Sequence, residues 1–415
     1  MTPYAAPAVP RAGPAGLALA AMYVLTIVGF PLVSTLPTLL GLDSQLATIP
    51  FRMLVAGLAF GILYGWWVRG TPVLFTTAVL VTFVLWALLI ARMFWDTIVS
   101  PLPGELYTPA GQLLLLSLGA CFLPAIVALE FPSDATLDLA RRWIEILGAI
   151  AMVAILYVGL RGVLAGSVLY RLATPVLNPI SVGHLGVSVM IVALCGFAGA
   201  GRLARAWRTL LVVLSVGVTV ATVSRGPILA GLLAVVILAF VTRRRRRLGI
   251  AALAWRVGLI AAGVAGVAAT VLFLEDTGVI DILARLTDTF QDVASQERAK
   301  MIRGAWTQFT ENPVLGSAFV ELQFMENPHN ILLESMMALG VAGLGLLLVS
   351  MTASLAAAGD VIRAGPRHAW VGLIYLQYIV NGMLSGSLFT DGAFWFFALA
   401  SLAIAKSLHD RAEAH

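Results

Sequence analysis

The chain has 415 residues, 60% of them hydrophobic and only 11% charged, with a mean hydropathy of +0.96. Soluble domains carry about 25% charged residues, so the composition excludes a soluble globular protein and points to one embedded in a membrane. The net charge of +5 comes from arginines in short links between apolar runs, a pattern that suits lipid headgroups and not nucleic acid.

The chain opens with MTPYAAPAVPRAGPAG, a Pro/Ala-rich tail taken as residues 1–14. The apolar run after it is long enough to remain as a span and no cleavage site follows, so the first helix reads as a signal anchor. A bilayer-crossing helix needs roughly 20 apolar residues. Windows of that length predict twelve spans, at 15–38, 51–68, 72–91, 110–129, 143–161, 180–198, 207–223, 226–242, 254–274, 331–357, 369–386 and 388–407. Helices one to nine thus occupy 15–274, helices ten to twelve occupy 331–407, and 408–415 forms a tail. The expected fold is an all-α polytopic membrane bundle, since the alternating segments of an outer-membrane barrel are missing. Cys121 and Cys195 lie inside apolar spans and offer neither a disulfide framework nor metal-ligand spacing.

Orientation follows from the basic residues. If the amino terminus is cytoplasmic, 17 of the 26 basic residues fall on that side, including the run Arg243 to Arg247. The other side receives nine: Arg52, Arg92, Arg161, Arg171, Arg225, Arg285, Arg298, Lys300 and Arg303. The acidic residues divide 7 to 14 in the opposite sense, leaving the faces at +10 and −5. Basic residues in short loops stay inside, so both termini are expected in the cytoplasm, with membrane lipids as partners of the RRRRR run.

One connection is far longer than the rest. Residues 275–330 form an external loop with helical patterns at 280–290 and 296–309. Loops of this length are functional or disordered, and this one holds most of the external ionisable groups. His368, His409 and His415 fall on the cytoplasmic side, and His184 sits in the first turn of the sixth span. His329 ends the long loop. No GxSxG elbow, Walker A loop, HExxH or dinucleotide fingerprint is present, so nucleotide and metal chemistry are not expected.

His329 stands in NPHNILLE, where Asn327 suits an N-cap and Pro328 the first helical position. That reading puts His329 in the first turn of the tenth span, where the positive helix end disfavours an imidazolium. A neutral imidazole is what a general base requires, although a lone histidine at a helix start is more often a capping residue. Arg225, in TVSRGPILAG, is costly beside apolar spans and is a functional candidate by default; its bland alternative is a snorkelling contact with lipid phosphate. Arg298 and Arg303 lie five apart on one loop helix, so at most one need point inward, and Arg303 reads as solvated. Arginines bind phosphate oxygens bidentately, and a lipid-linked diphosphate glycan already carries its leaving group.

From Thr222 to Gly345 the sequence resembles the O-antigen ligase and O-antigen polymerase superfamily. The resemblance rests on SRG at Ser224 to Gly226, on Arg298 followed by Phe309 and Asn312-Pro313-Val314-Leu315-Gly316, and on PHNILLE from Pro328 to Glu334 followed by Gly340 and Gly343. It covers roughly the last half of the chain; the first two hundred residues carry no such signature. One departure is Ser317-Ala318, where a second glycine is common after the NPxxG motif. That puts only the local loop shape in doubt.

The resemblance implies a periplasmic glycosyltransferase of the bacterial inner membrane that moves a glycan from undecaprenyl diphosphate to an acceptor hydroxyl without cofactor or metal. By the same resemblance His329 is the catalytic residue and Arg225 and Arg298 bind the diphosphate. Asn330, Glu326 and Arg303 are the candidates for orienting substrate. The acceptor is lipid A-core for a ligase, or a growing lipid-linked glycan for a polymerase. The alternative class is a transporter or flippase of lipid-linked glycans, but no internal repeat of the kind that marks many transporters is visible.

Overall fold

The computed structural model describes residues 12–71, 73–106, 109–164, 171–198, 200–245 and 293–414. Among them every regular element is helical. In chain order the helices are α1 Pro14–Leu40, α2 Gln45–Arg69, α3 Thr77–Val99 and α4 Ala110–Val127. These are followed by α5 Asp134–Leu164, α6 Pro179–Gly196, α7 Arg202–Ala221 and α8 Arg225–Arg245. The last four are α9 Val293–Glu311, α10 Ile331–Ala364, α11 Pro366–Leu384 and α12 Gly392–Glu413.

Eleven of these helices fall on predicted spans, and α9 falls on the loop helix expected at 296–309. The ninth predicted span at 254–274, the helical pattern at 280–290 and the tail up to residue 11 lie outside the described residues. The protein is an all-α polytopic membrane protein, and part of the expected set of about twelve spans is seen. Nine helices among the described residues are long and apolar enough to cross a bilayer, and α8 and α11 are not among them. The apolar part of α8, Arg225–Val241, is shorter. The helix α11 carries polar side chains that are satisfied inside the bundle. Its Gln377 Nε2 donates to the His184 and Ser188 oxygens at 2.9 Å each, and its Asn381 Nδ2 donates to Asp391 at 2.7 Å.

Local irregularities have sequence causes. A proline removes one helical N–H and crowds the carbonyl four residues earlier, and a π-helical turn relieves that crowding. The π turn Leu25–Gly29 in α1 precedes Pro31, and the one at Leu116–Phe122 in α4 precedes Pro124.

The core centres on α12, whose residues Phe394 to Ala400 are buried. Tyr23 of α1 meets Phe396 edge-on at 4.9 Å, and Trp86 of α3 stacks on Phe122 at 4.6 Å and meets Trp395 at 5.4 Å. By contrast, Met53, Phe60, Tyr64 and Trp67 along α2 are exposed, as a face turned to lipid would be.

The two ends of the bundle differ chemically. At one end Asp134, which opens α5, pairs with Arg367 at 2.9 Å, His368 at 3.3 Å and Arg411 at 3.4 Å. These contacts gather the starts of α5 and α11 and the end of α12. The opposite end holds the α7–α8 turn, the α9–α10 connection and the α11–α12 turn.

Candidate functional site

The α9–α10 connection is fastened to the bundle at several points before it reaches His329. Buried Gln308 of α9 donates from Nε2 to the Ser317 hydroxyl and the Val320 carbonyl, each at 3.2 Å, and its Oε1 accepts from Leu322 N at 2.8 Å. The Asn312–Gly316 stretch then docks into α10, which is broken at Gly340 (φ 65°, ψ −154°). Carbonyls and amides released by that break are taken up by the loop. Ser317 N donates to Met337 O and Val341 N donates to Pro313 O, both at 2.8 Å. From α3, Arg92 and buried Asp96 form a two-point ion pair at 2.9 Å, and Asp96 also accepts from Phe319 N at 2.8 Å.

A short turn follows. Glu321 N donates to Glu326 O and Met325 N donates back to Glu321 O, both at 2.8 Å. The buried Glu321 carboxylate accepts from Gln323 N at 3.0 Å and Phe324 N at 2.8 Å, and lies against Gly304 of α9. On the other side Gly104, in the α3–α4 connection, packs on Met325.

His329 is not in the first turn of the tenth span, as expected from the sequence. The helix begins at Ile331, and its N-cap is Asn330, whose side chain accepts from Leu333 N at 3.0 Å. Asn327 instead accepts from His329 N at 3.0 Å, closing a turn ahead of the helix. Both asparagines have capping chemistry, but the positive φ of His329 keeps the helix from starting before Asn330, whose extended backbone (φ −149°, ψ 114°) is that of an N-cap. His329 itself stands at φ 57°, in the left-handed region. Asn330 Nδ2 reaches further, donating to Met383 O at the end of α11 at 2.9 Å.

The electrostatics around His329 also differ in cause from the sequence expectation. Its pKa is pushed below the ordinary histidine value chiefly by burial, and then by the nearby positive charge of Arg298. Both effects favour the neutral imidazole. Glu326 Oε1 lies 3.8 Å from His329 Nε2, a neighbour and not a hydrogen-bond partner. Burial pushes the Glu326 carboxyl above its usual range. Arg298 is half-buried and burial lowers its guanidinium too, though from a value so high that it stays charged.

The structure thus brings together His329, Glu326, Asn330 and Arg298. Arg303 is exposed on α9, as its five-residue offset from Arg298 predicts, and is not drawn into this group. Arg225 opens α8 at the same end of the bundle. Its neighbour Gly226 packs on Leu384, the residue after the Met383 whose carbonyl Asn330 holds.

Several structural residues were missed in the sequence reading. Arg92 and Asp96 stand four apart at the end of an apolar helix, a spacing that signals an ion pair. Glu334, which accepts from the Ser387 hydroxyl at 2.8 Å and Leu388 N at 2.6 Å, and Arg171, described below, have no local signal. No group of three or more His, Cys, Asp or Glu side chains suited to a metal ion occurs among the described residues.

Residues 210–348, from within α7 to within α10, match the family model of the O-antigen ligases. The matched stretch contains Arg225, Arg298, Glu326, His329 and Asn330. No curated protein matches the chain. The chain carries an O-antigen ligase family domain within an all-α membrane bundle.

Proposed function

We propose that this membrane protein, through its O-antigen ligase domain, transfers a glycan from undecaprenyl diphosphate to an acceptor sugar hydroxyl at the periplasmic face of the bacterial inner membrane. The observation that carries the reading is the pairing of His329 with the charge of Arg298 inside the family-matched stretch. A neutral imidazole and a fixed cation supply the two things this chemistry needs: a base, and a counter-charge for a leaving diphosphate.

In the proposed step, His329 takes the proton of the acceptor hydroxyl as its oxygen bonds to the anomeric carbon. The bond from that carbon to the diphosphate oxygen breaks, and the departing diphosphate keeps the electron pair. Arg225 and Arg298 neutralise it through bidentate contacts. Attack opposite the leaving group inverts the anomeric centre. Glu326 and Asn330 bind or orient the acceptor sugar, and Arg303 stays in solvent. Both termini and the Asp134 end of the bundle face the cytoplasm in this reading.

Purified protein supplied with a synthetic polyprenyl-diphosphate glycan and an acceptor glycolipid tests the proposal. Transfer should occur with the wild type and vanish in His329→Ala. Normal transfer by a folded His329→Ala protein would overturn it. Glycan profiles of a deletion strain then identify the acceptor: unattached long chains indicate a ligase, and single repeat units a polymerase.

A further inference from the structure

The turn that delivers Arg225 is built from a residue type unsuited to it. Val223 stands at φ 50°, and a β-branched residue in the left-handed region is a steric outlier. Something must hold it there. Arg171, in the segment before α6, donates from Nε to Thr222 O at 3.1 Å. Its Nη2 donates to Val223 O at 3.3 Å and to the Ser224 hydroxyl at 3.1 Å. The next residue, Leu172, donates its N–H to Ala221 O at 2.8 Å.

These contacts answer a general need. The last carbonyls of a helix have no partner within it, and here the carbonyl of Ala221, the last residue of α7, and those of Thr222 and Val223 just after it are taken by Leu172 and Arg171. The cation also suits the negative end of the α7 dipole. Within the turn, the Ser224 hydroxyl donates to Thr222 O at 3.2 Å and Thr222 Oγ1 donates to Thr219 O at 2.6 Å. Ser224 and Thr222 are buried, whereas Arg225, one residue on, is exposed. The backbone path through Val223 therefore decides where Arg225 emerges.

We propose that Arg171 is a positioning residue for Arg225: its planar guanidinium bridges Thr222, Val223 and Ser224 and so fixes the strained turn that aims Arg225 at the donor diphosphate. It acts through the turn and touches no reacting atom. The inference rests on the reading that Arg225 binds the diphosphate.

The test compares steady-state transfer by purified full-length variants, with a synthetic polyprenyl-diphosphate glycan as donor and the acceptor varied separately. Arg171→Gln should lower kcat/KM for the donor on the order of tenfold to a hundredfold, the usual cost of displacing a substrate-holding group, with the acceptor KM unchanged. Adding Val223→Gly should recover most of that loss, because glycine adopts a positive φ without steric cost. Equal effects on donor and acceptor, or no recovery in the double variant, would overturn the positioning role. If Arg171→Gln does not accumulate, Arg171→Lys replaces it, since a lysine keeps the charge but lacks the fork; an unchanged donor kcat/KM there overturns the inference equally. Arg225→Lys separates the two levels. If it leaves the donor kcat/KM unchanged, the diphosphate reading of Arg225 itself fails; if it lowers kcat/KM while Arg171 variants do not, only the positioning inference fails.

Discussion

Gly316 and Gly340 each lie against the other's chain: a Cβ on Gly316 would run into the Ala338 carbonyl group, and one on Gly340 into Val314 and Pro313. Both have positive φ, 69° and 65°. The NPVLG motif and the glycine break in α10 are thus two halves of one joint, and that joint sets the start of the path to His329.

Gly340→Ala should spring this joint. The combination φ 65°, ψ −154° is essentially reserved for glycine, and forcing a side chain there costs of order 1–3 kcal/mol before any clash with the docked loop. The thermal unfolding midpoint of the purified protein should fall, and limited proteolysis should open the 312–320 stretch. Gly345→Ala is the control, since nothing lies within 4 Å of its added Cβ. Equal behaviour of the two variants would show that the joint is not where the loop is held.

The Arg92–Asp96 pair makes an asymmetric prediction. Asp96 is 3% exposed at its side chain and Arg92 is 18% exposed. Arg92→Ala strands a buried carboxylate, a change that costs about 3–5 kcal/mol. Asp96→Asn keeps an acceptor for Phe319 N and leaves an arginine able to reach water, so it should cost only about 1–3 kcal/mol. Unfolding midpoints measured in one detergent should fall in that order, and the reverse order would mean that Asp96 is not buried as a charge.

The pH dependence of transfer should carry the mark of Arg298. A base works only when unprotonated, so kcat/KM is full above the folded pKa of His329 and falls as pH drops through it. Burial and the Arg298 charge both lower that pKa, so the fall should begin below the ordinary histidine range. Arg298→Gln removes the second cause and should move the acid limb to higher pH, besides reducing the rate. An unmoved limb in the residual activity would disconnect the two residues.

How much of this was legible beforehand varies with the range of the interaction. The spans were readable because apolar length is a local property, and Arg303 was separated from Arg298 by helical spacing alone. The tenth span was read to begin at 331, as it does, but its cap was assigned to Asn327 because Asn327 and Asn330 are chemically equivalent caps; the left-handed backbone of His329 decides for Asn330. His329 was expected to be neutral for the wrong reason, a helix end, when burial and Arg298 do the lowering. Arg171, Asp96 and Glu334 act on segments 51 to 223 residues away, and no pattern within their own windows announces those partners.

The left-handed backbone of His329 yields the last prediction. At φ 57° a residue with a side chain is held at a cost of roughly 1–2 kcal/mol relative to one without. The surrounding turn, fixed by Asn327, Asn330 and the Glu321–Glu326 hydrogen bond, enforces that conformation. If the site accepts strain in order to present an imidazole, His329→Gly should be more stable than His329→Ala by about 1 kcal/mol, while neither transfers glycan. Thermal unfolding of the two purified variants, beside a transfer assay, reads both effects. An alanine variant as stable as the glycine one would mean that the turn relaxes once the imidazole is gone, so that the imidazole and not the turn dictates the backbone there.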